Sequence, residues 1–195
     1  MQAILRAVQR GYIRGAGVTV VISNRPAVRA LEIARRANVP TMVIESAQFS
    51  GSRQEYDALL VDALERHGIT GEGGLVLLAG FDRILSPFFV LHFRNRVMNI
   101  HPALLPSFTG LHAQEQALDY GVKIAGCTVH LVSPEVDAGP VIVQKSVRVR
   151  EDDTPETLAA RILREEHKAY PEAVKLFVEG RLKVDGRKVR VASRK

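Results

Sequence analysis

The sequence predicts an α/β fold with a doubly wound, mostly parallel sheet and an antiparallel C-terminal part. In the first hundred residues, apolar β-branched runs alternate with helical patterns, which is typical of βαβ units. After residue 100, two apolar runs follow each other without a helix between them, which indicates an antiparallel pair. With 195 residues and 46% hydrophobic content, we expect one sizeable core and a single domain over residues 1–195.

The elements follow from these patterns in chain order. Continuous apolar runs of the kind found in buried parallel strands lie at 18–23, 41–45, 75–80 and 97–100. Apolar residues recur at helical spacing over 26–37 and 53–67. The antiparallel pair is predicted at 126–132 and 139–149, followed by a long helix over 154–179 with Pro155 in its first turn. An Asp-Gly turn predicts a hairpin over 183–189.

The net charge of +6 is confined to the C-terminal hairpin and tail. Residues 181–195 carry seven basic residues and one acidic residue, which leaves 20 of each sign in the rest of the chain. Such a basic end is usually a solvated edge, and it has no aromatic residue for base stacking. We therefore expect small-molecule substrates as partners and no nucleic acid.

Cysteine content and hydropathy favour a cytoplasmic protein. The single cysteine, Cys127, excludes an internal disulfide and suits a reducing compartment. Apolar runs stay well below the roughly 20 residues that span a bilayer. We therefore expect no membrane association, and either a monomer or a homodimer.

Polar residues stand at three strand ends. Asn99 and His101 end one strand, and Asp137 lies in the turn between the two later strands. Ligands of such sheets bind beyond the carboxyl ends of the strands, so we expect these side chains to line a cleft.

These three residues, if they converge, would make a catalytic set. A carboxylate beside an imidazole orients it and favours its protonated form. An Asn amide can donate to a developing oxyanion. Because no Ser or Cys stands in a nucleophile elbow, the set suits direct attack by an amine or water on a carbonyl, and no metal is predicted. The alternative is that Asn99, His101 and Asp137 only satisfy turn backbone.

The residues around this set resemble the phosphoribosylglycinamide formyltransferases, a family of folate-dependent enzymes. The similarity covers residues 1 to about 183. It includes LAGFDRILSP, NIHPALLPSFTGLHAQEQALDYGVKIAGCTVHLVSPEVDAGPVIVQ and LAARILREEHKAYPEAVKLFVEGRL. An N-x-H-P signature followed by an Asp in a D-x-G-P turn, here 36 residues after the His, is specific for formyltransferases.

The resemblance implies a Rossmann-like formyltransferase fold and a function in purine biosynthesis. The formyl group of 10-formyltetrahydrofolate would pass to the amine of glycinamide ribonucleotide, with the folate acting as cosubstrate. In the family, the residues that match Asn99 and His101 polarise the formyl oxygen, and the residue that matches Asp137 acts on the His and assists proton movement.

The resemblance also implies binding residues. Expected folate contacts, besides Asn99 and Asp137, are Arg53, Asp82, Arg83, Ile84, Leu85, Ser133, Pro134, Glu135 and Val136. The ribonucleotide is expected to lie against Leu163, Arg164, Glu165 and Glu166, with Glu166 suited to accept from ribose hydroxyls.

The amino end departs from the family pattern. Family members begin with a strand and a Gly-rich loop that leads into a helix whose N-terminus holds phosphate. Here MQAILRAV matches that helix, so we expect the first strand and the phosphate loop to be missing. Two alternative functions stay open: a formyltetrahydrofolate hydrolase and an impaired folate-binding module.

Overall fold

Six helices and eight strands form residues 1–193, the part of the chain that this computed structural model describes, and they alternate as far as β5. The elements are α1 (Gln2–Gln9), β1 (Val21–Ser23), α2 (Arg29–Arg36), β2 (Thr41–Val43), α3 (Arg53–Glu65), β3 (Val76–Leu78), α4 (Pro87–His92), β4 (Val97–His101), α5 (Ala113–Tyr120), β5 (Ile124–Leu131), β6 (Val141–Arg148), α6 (Pro155–Val178), β7 (Leu182–Asp185) and β8 (Lys188–Val191). They divide into two compact units, Met1–Val97 and Met98–Lys195. Arg194 and Lys195 of the predicted basic tail lie outside the described residues.

The first unit contains a parallel βαβ arrangement. Strands β1 and β2 pair in parallel, and α2, which connects them, packs on both. Helix α3 begins with a capping box, in which the Ser52 hydroxyl accepts from the Glu55 amide and the Glu55 carboxylate accepts from the Ser52 amide. Helix α3 packs on α4. The largest buried apolar side chains of this unit are Ile13, Leu31, Tyr56, Phe89 and Phe93.

The second unit is a mixed sheet covered by α6. Its strand order is β4-β5-β6-β8-β7, and the pairs are antiparallel except for the parallel pair β6–β8. Helix α6 packs on β5 and β6. The Thr154 hydroxyl caps its first turn and Pro155 occupies the first helical position. Gly186 closes the β7–β8 hairpin with a φ of 57°, a left-handed conformation that favours glycine.

The predicted α/β class is confirmed, including the antiparallel C-terminal part. Strand β1 is shorter than the predicted 18–23, because its hydrogen-bonded register with β2 has only three residue pairs. Helix α5 was not delimited by the sequence pattern. Its flanking residues, His112 before it and Gly121 after it, both have left-handed backbone. A single domain over residues 1–195 stays a prediction.

Candidate active site

Strands β4 and β5 bring four polar side chains onto one face of the second unit's sheet. Asn99 and His101 are two residues apart on β4 and therefore share a face. In the antiparallel register His130 lies opposite Asn99, and Thr128 lies opposite His101. Directly opposed residues of an antiparallel pair also share a face, so these four side chains form one polar cluster.

His101 lies between a carboxylate and a carbonyl. Its Nδ1 is 3.4 Å from Asp137 Oδ2, and its Nε2 donates to the Phe108 carbonyl at 2.8 Å. The residue is 4% exposed. Because both ring nitrogens face oxygen acceptors, a ring with a proton on each nitrogen can donate to both. The structure thus brings His101 and Asp137 into contact, a convergence that the sequence left open.

Asp137 is held by the turn between β5 and β6. Its backbone is left-handed, with a φ of 52°, and its Oδ2 accepts from the Gly110 amide at 2.8 Å. Gly139, two residues on, passes so close to Leu131 that a β-carbon would overlap the Leu131 carbonyl oxygen. Only glycine fits there without a backbone shift, so Gly139 fixes how the turn presents Asp137.

His130 orients the amide of Asn99. The two side chains meet at 3.4 Å between Asn99 Nδ2 and His130 Nε2, and His130 Nδ1 donates to the Leu131 carbonyl at 2.9 Å. Burial lowers the pKa of His130, so its ring is neutral near neutral pH. A neutral ring that donates from Nδ1 has its Nε2 lone pair free, and that lone pair accepts from Asn99.

His130 also approaches the carboxylate. Its Nε2 lies 3.8 Å from Asp137 Oδ1. Alternation along β5 shows only which residues share a face with His130, because it does not reveal what lies across the sheet. The signal that could have identified it is the β4–β5 register, which sets it opposite Asn99.

A second network anchors the chain where it leaves β4. The Thr128 hydroxyl donates to the Ala103 carbonyl at 2.7 Å and accepts from the Leu105 amide at 3.0 Å. Gln144 on β6 donates from Nε2 to both the Leu105 carbonyl and the Thr128 hydroxyl, each at 3.0 Å. These bonds hold the backbone just beyond His101.

The predicted folate residues of the second unit lie in the turn that carries Asp137. The Ser133 hydroxyl donates to the Glu135 carbonyl at 3.1 Å, which tightens the turn. Pro134, Glu135 and Val136 are exposed. The turn is therefore accessible beside the His101–Asp137 pair.

Two of the predicted folate residues of the first unit, Asp82 and Arg83, have side-chain partners within that unit. Asp82 forms an ion pair with Arg25 and accepts from Asn24 Nδ2 at 3.1 Å. The Arg83 guanidinium lies 4.4 Å above the centre of the Tyr56 ring, a cation–π geometry. In addition, Leu85 is buried, Ile84 is exposed, and Arg53 is exposed at the first position of α3.

The predicted nucleotide residues lie on α6. Burial raises the pKa of Glu166, whereas Glu165 pairs with Lys168 at 2.6 Å, and Leu163 and Arg164 are exposed. The charge of Glu166 acts on Cys127, which alternation places on the face of β5 opposite His130. The structure thus joins Asn99, His101 and Asp137 directly or through His130, and sets Leu163–Glu166 apart from that cluster.

The cluster defines a class of site. A preorganised amide donor, an imidazole and a carboxylate can polarise a carbonyl and move a proton between attacking and leaving groups. They supply no nucleophile of their own. These groups suit a group-transfer enzyme in which the second substrate directly attacks the carbonyl of the first.

Comparison with known proteins assigns the chain to a family. The model of the formyl transferase family matches residues 1–174, and the chain belongs to this family. It is 41% identical over 184 residues to phosphoribosylglycinamide formyltransferase of Escherichia coli, covering 94% of this chain and 84% of that protein. Glycinamide ribonucleotide transformylase 1 from Symbiobacterium toebii has a similar structure, with a TM-score of 0.93 and 49% identity over 98% of this chain and 88% of that one.

Longer relatives also match. The trifunctional purine biosynthetic protein adenosine-3 of Gallus gallus is 44% identical over 169 residues, which is 87% of this chain. The chain spans 16% of the length of that relative.

Within residues 1–193, no helix is long and apolar enough to cross a membrane. The same residues contain no group of three or more His, Cys, Asp or Glu side chains placed to hold a metal ion.

Proposed function

We propose that this chain transfers the formyl group of 10-formyltetrahydrofolate to the amine of glycinamide ribonucleotide, a step of purine biosynthesis. The observation that carries the proposal is the contact of His101 with Asp137 beside Asn99, in a chain of the formyl transferase family. The names of the Escherichia coli and Symbiobacterium toebii relatives support this choice of substrate.

The reaction needs no enzyme nucleophile. The ribonucleotide amine attacks the formyl carbon, and the formyl C=O electrons move onto oxygen. The amine then loses a proton, the bond from carbon to the folate nitrogen breaks, and that nitrogen gains a proton. The protein must therefore stabilise an oxyanion and help one proton to move.

Asn99 and His101 are the proposed oxyanion donors. An Asn amide has two N–H groups, so the one given to His130 leaves the other for the formyl oxygen. In the structure His101 Nε2 donates a hydrogen bond to the Phe108 carbonyl. In the reaction the same N–H group donates to the formyl oxygen instead. Asp137 orients the ring through its contact with Nδ1 and accepts the proton of the attacking amine.

His130 is a proposed positioning residue. In its neutral form it accepts from Asn99 and thereby fixes which atoms of the amide face the substrate. The turn 133–136, exposed at its last three residues, would contact the folate. The other folate contacts, at Arg53 and 82–85, and the nucleotide contacts at 163–166 stay predictions, as do a cytoplasmic location and a monomeric or dimeric state.

The test is folate release from 10-formyltetrahydrofolate with and without glycinamide ribonucleotide. We expect release that depends on the amine. Release without the amine would instead identify a hydrolase, and no release would identify a binding module; either result would refute the proposal.

Two substitutions test the assigned roles. His101→Ala and Asp137→Asn should lower kcat by at least about a hundredfold, since each removes a group that acts on the reacting atoms. Folate affinity should change much less. The control is Asp119→Asn, which makes the same chemical change on the exposed side of α5 and should leave kcat unchanged. Loss of folate binding alone in the His101 variant would contradict its role.

A further inference from the structure

A cavity of about 370 Å³ lies between the loop that follows β4, helix α5 and the start of β5. Its walls are mainly apolar and include Leu104, Ala117, Val122 and Ile124. The residues that line it are uncharged, and the side-chain polar groups among them are the hydroxyls of Ser107 and Tyr120. The volume falls in the range of small-molecule sites, whose lining is typically apolar with a few polar groups.

Two aromatic rings form one wall of the cavity. Phe108 and Tyr120 meet edge to face, with ring centres 5.9 Å apart and an angle of 65° between their planes. Tyr120 is 80% exposed, and Ile124 beside it is 49% exposed. Exposed apolar side chains around a concave surface are typical of binding sites. A flat aromatic molecule could stack on this pair, whereas an ion would find no charged partner.

Phe108 connects this cavity to the active site. Its side chain lines the cavity, and its backbone carbonyl accepts the Nε2 proton of His101. Its φ of 54° is left-handed, which for a bulky residue costs on the order of 1–3 kcal/mol and persists only while neighbouring contacts hold it. A ligand packed on the ring would add such a contact.

We propose that the cavity binds a small, neutral aromatic molecule and that its occupancy holds the Phe108 carbonyl on His101. The expected effect on activity rests on the proposed function. In that mechanism the His101 Nε2–H group must break its hydrogen bond to the Phe108 carbonyl and donate to the formyl oxygen instead. An occupied cavity therefore inhibits formyl transfer without competing with folate. Strengthening one hydrogen bond of this kind lowers turnover by roughly fivefold.

Binding is tested with indole, a neutral bicyclic aromatic molecule with one N–H donor. The chain has no tryptophan, so indole fluorescence reports binding without an indole background from the protein. We expect saturable binding that a reduced folate does not displace. Ile124→Glu places a charge at the cavity's exposed rim and Ala117→Leu fills its floor, so both should abolish binding. Leu91→Glu, an exposed apolar-to-acidic change on α4, is the matched control and should bind like the unmodified chain.

Coupling is tested by the ring NMR signals of His101 and by turnover. Saturating indole should shift these signals and lower turnover roughly fivefold in the unmodified chain, and should do neither in Ile124→Glu. The NMR readout does not require activity, so it tests the coupling even if formyl transfer fails. The proposal is overturned by absence of saturable binding, by binding that survives both cavity substitutions, by displacement with folate, or by binding that leaves the His101 signals unmoved.

Discussion

Substituting Gly139 by alanine would move the Asp137 carboxylate, for which we propose a catalytic role, without removing any chemical group. A β-carbon at this position would overlap the Leu131 carbonyl oxygen, and the Ser133 amide nitrogen lies 3.2 Å away. The turn would have to move by roughly 1 Å or more to restore normal contact separation. Asp137 is two residues away, so its carboxylate would move with the turn.

The magnitude follows from the distance between Asp137 and His101. These groups are 3.4 Å apart, and a displacement of about 1 Å takes them beyond direct contact. A misplacement of that size costs about a hundredfold in rate, or roughly 2.7 kcal/mol of transition-state stabilisation. We also expect a loss of about 1–3 kcal/mol in the free energy of unfolding, as for other overpacked sites.

The assay is amine-dependent folate release, measured beside urea unfolding so that kcat refers to folded protein. The control is Gly17→Ala, because a β-carbon at Gly17 has no heavy atom within 4 Å and its backbone is not left-handed. It should leave both kcat and stability unchanged. A Gly139→Ala variant with the kcat of the unmodified chain would refute the claim that this turn positions the carboxylate.

Three further predictions concern buried groups. His130→Phe should lower kcat by roughly 5–30-fold, the equivalent of about 1–2 kcal/mol, because Asn99 loses its acceptor, while folate affinity in equilibrium titration changes little. The hydrogen bonds from Arg161 hold the pKa of Asp153 below its ordinary 3.8, so the stability from this pair is present above that pH and is lost as pH falls below it. Urea unfolding at a series of pH values should show this loss, and Asp153→Asn should remove it; the same acid dependence in both proteins would contradict the assignment. Burial, with a smaller effect of the Glu166 charge, raises the pKa of Cys127 to about 12, so iodoacetamide should label this thiol only in urea. Rapid labelling of the folded chain would disprove its burial.

The sequence predicted features that depend on residues close together in the chain better than features that depend on distant residues. Periodicity located the long helix α6 and the strands β5 and β6, because these patterns are local. The placement of His101 and Asp137 at strand ends was also predictable, whereas their contact was not. The role of His130 was not, because it depends on the register between two strands.

The sequence pattern did not predict the backbone contacts made to His101 and Asp137. The Phe108 carbonyl accepts from His101 and the Gly110 amide donates to Asp137, and both are backbone groups that carry little sequence signal. Their positions depend on left-handed backbone at Phe108 and Gly110, with φ of 54° and 78°. Glycine signals such a conformation in a sequence, whereas phenylalanine does not.

Thr128 limits which substitutions this family member can tolerate. Its hydroxyl already donates one hydrogen bond and accepts two, which is its full capacity. Valine has the same shape and a higher strand preference, yet it would leave the buried Ala103 and Leu105 groups without this partner, at about 1–3 kcal/mol for each unsatisfied group. Serine would keep all three bonds. Position 128 therefore tolerates exchange only between threonine and serine. A relative with an aliphatic residue there would need another way to hold the chain just beyond the residue that matches His101.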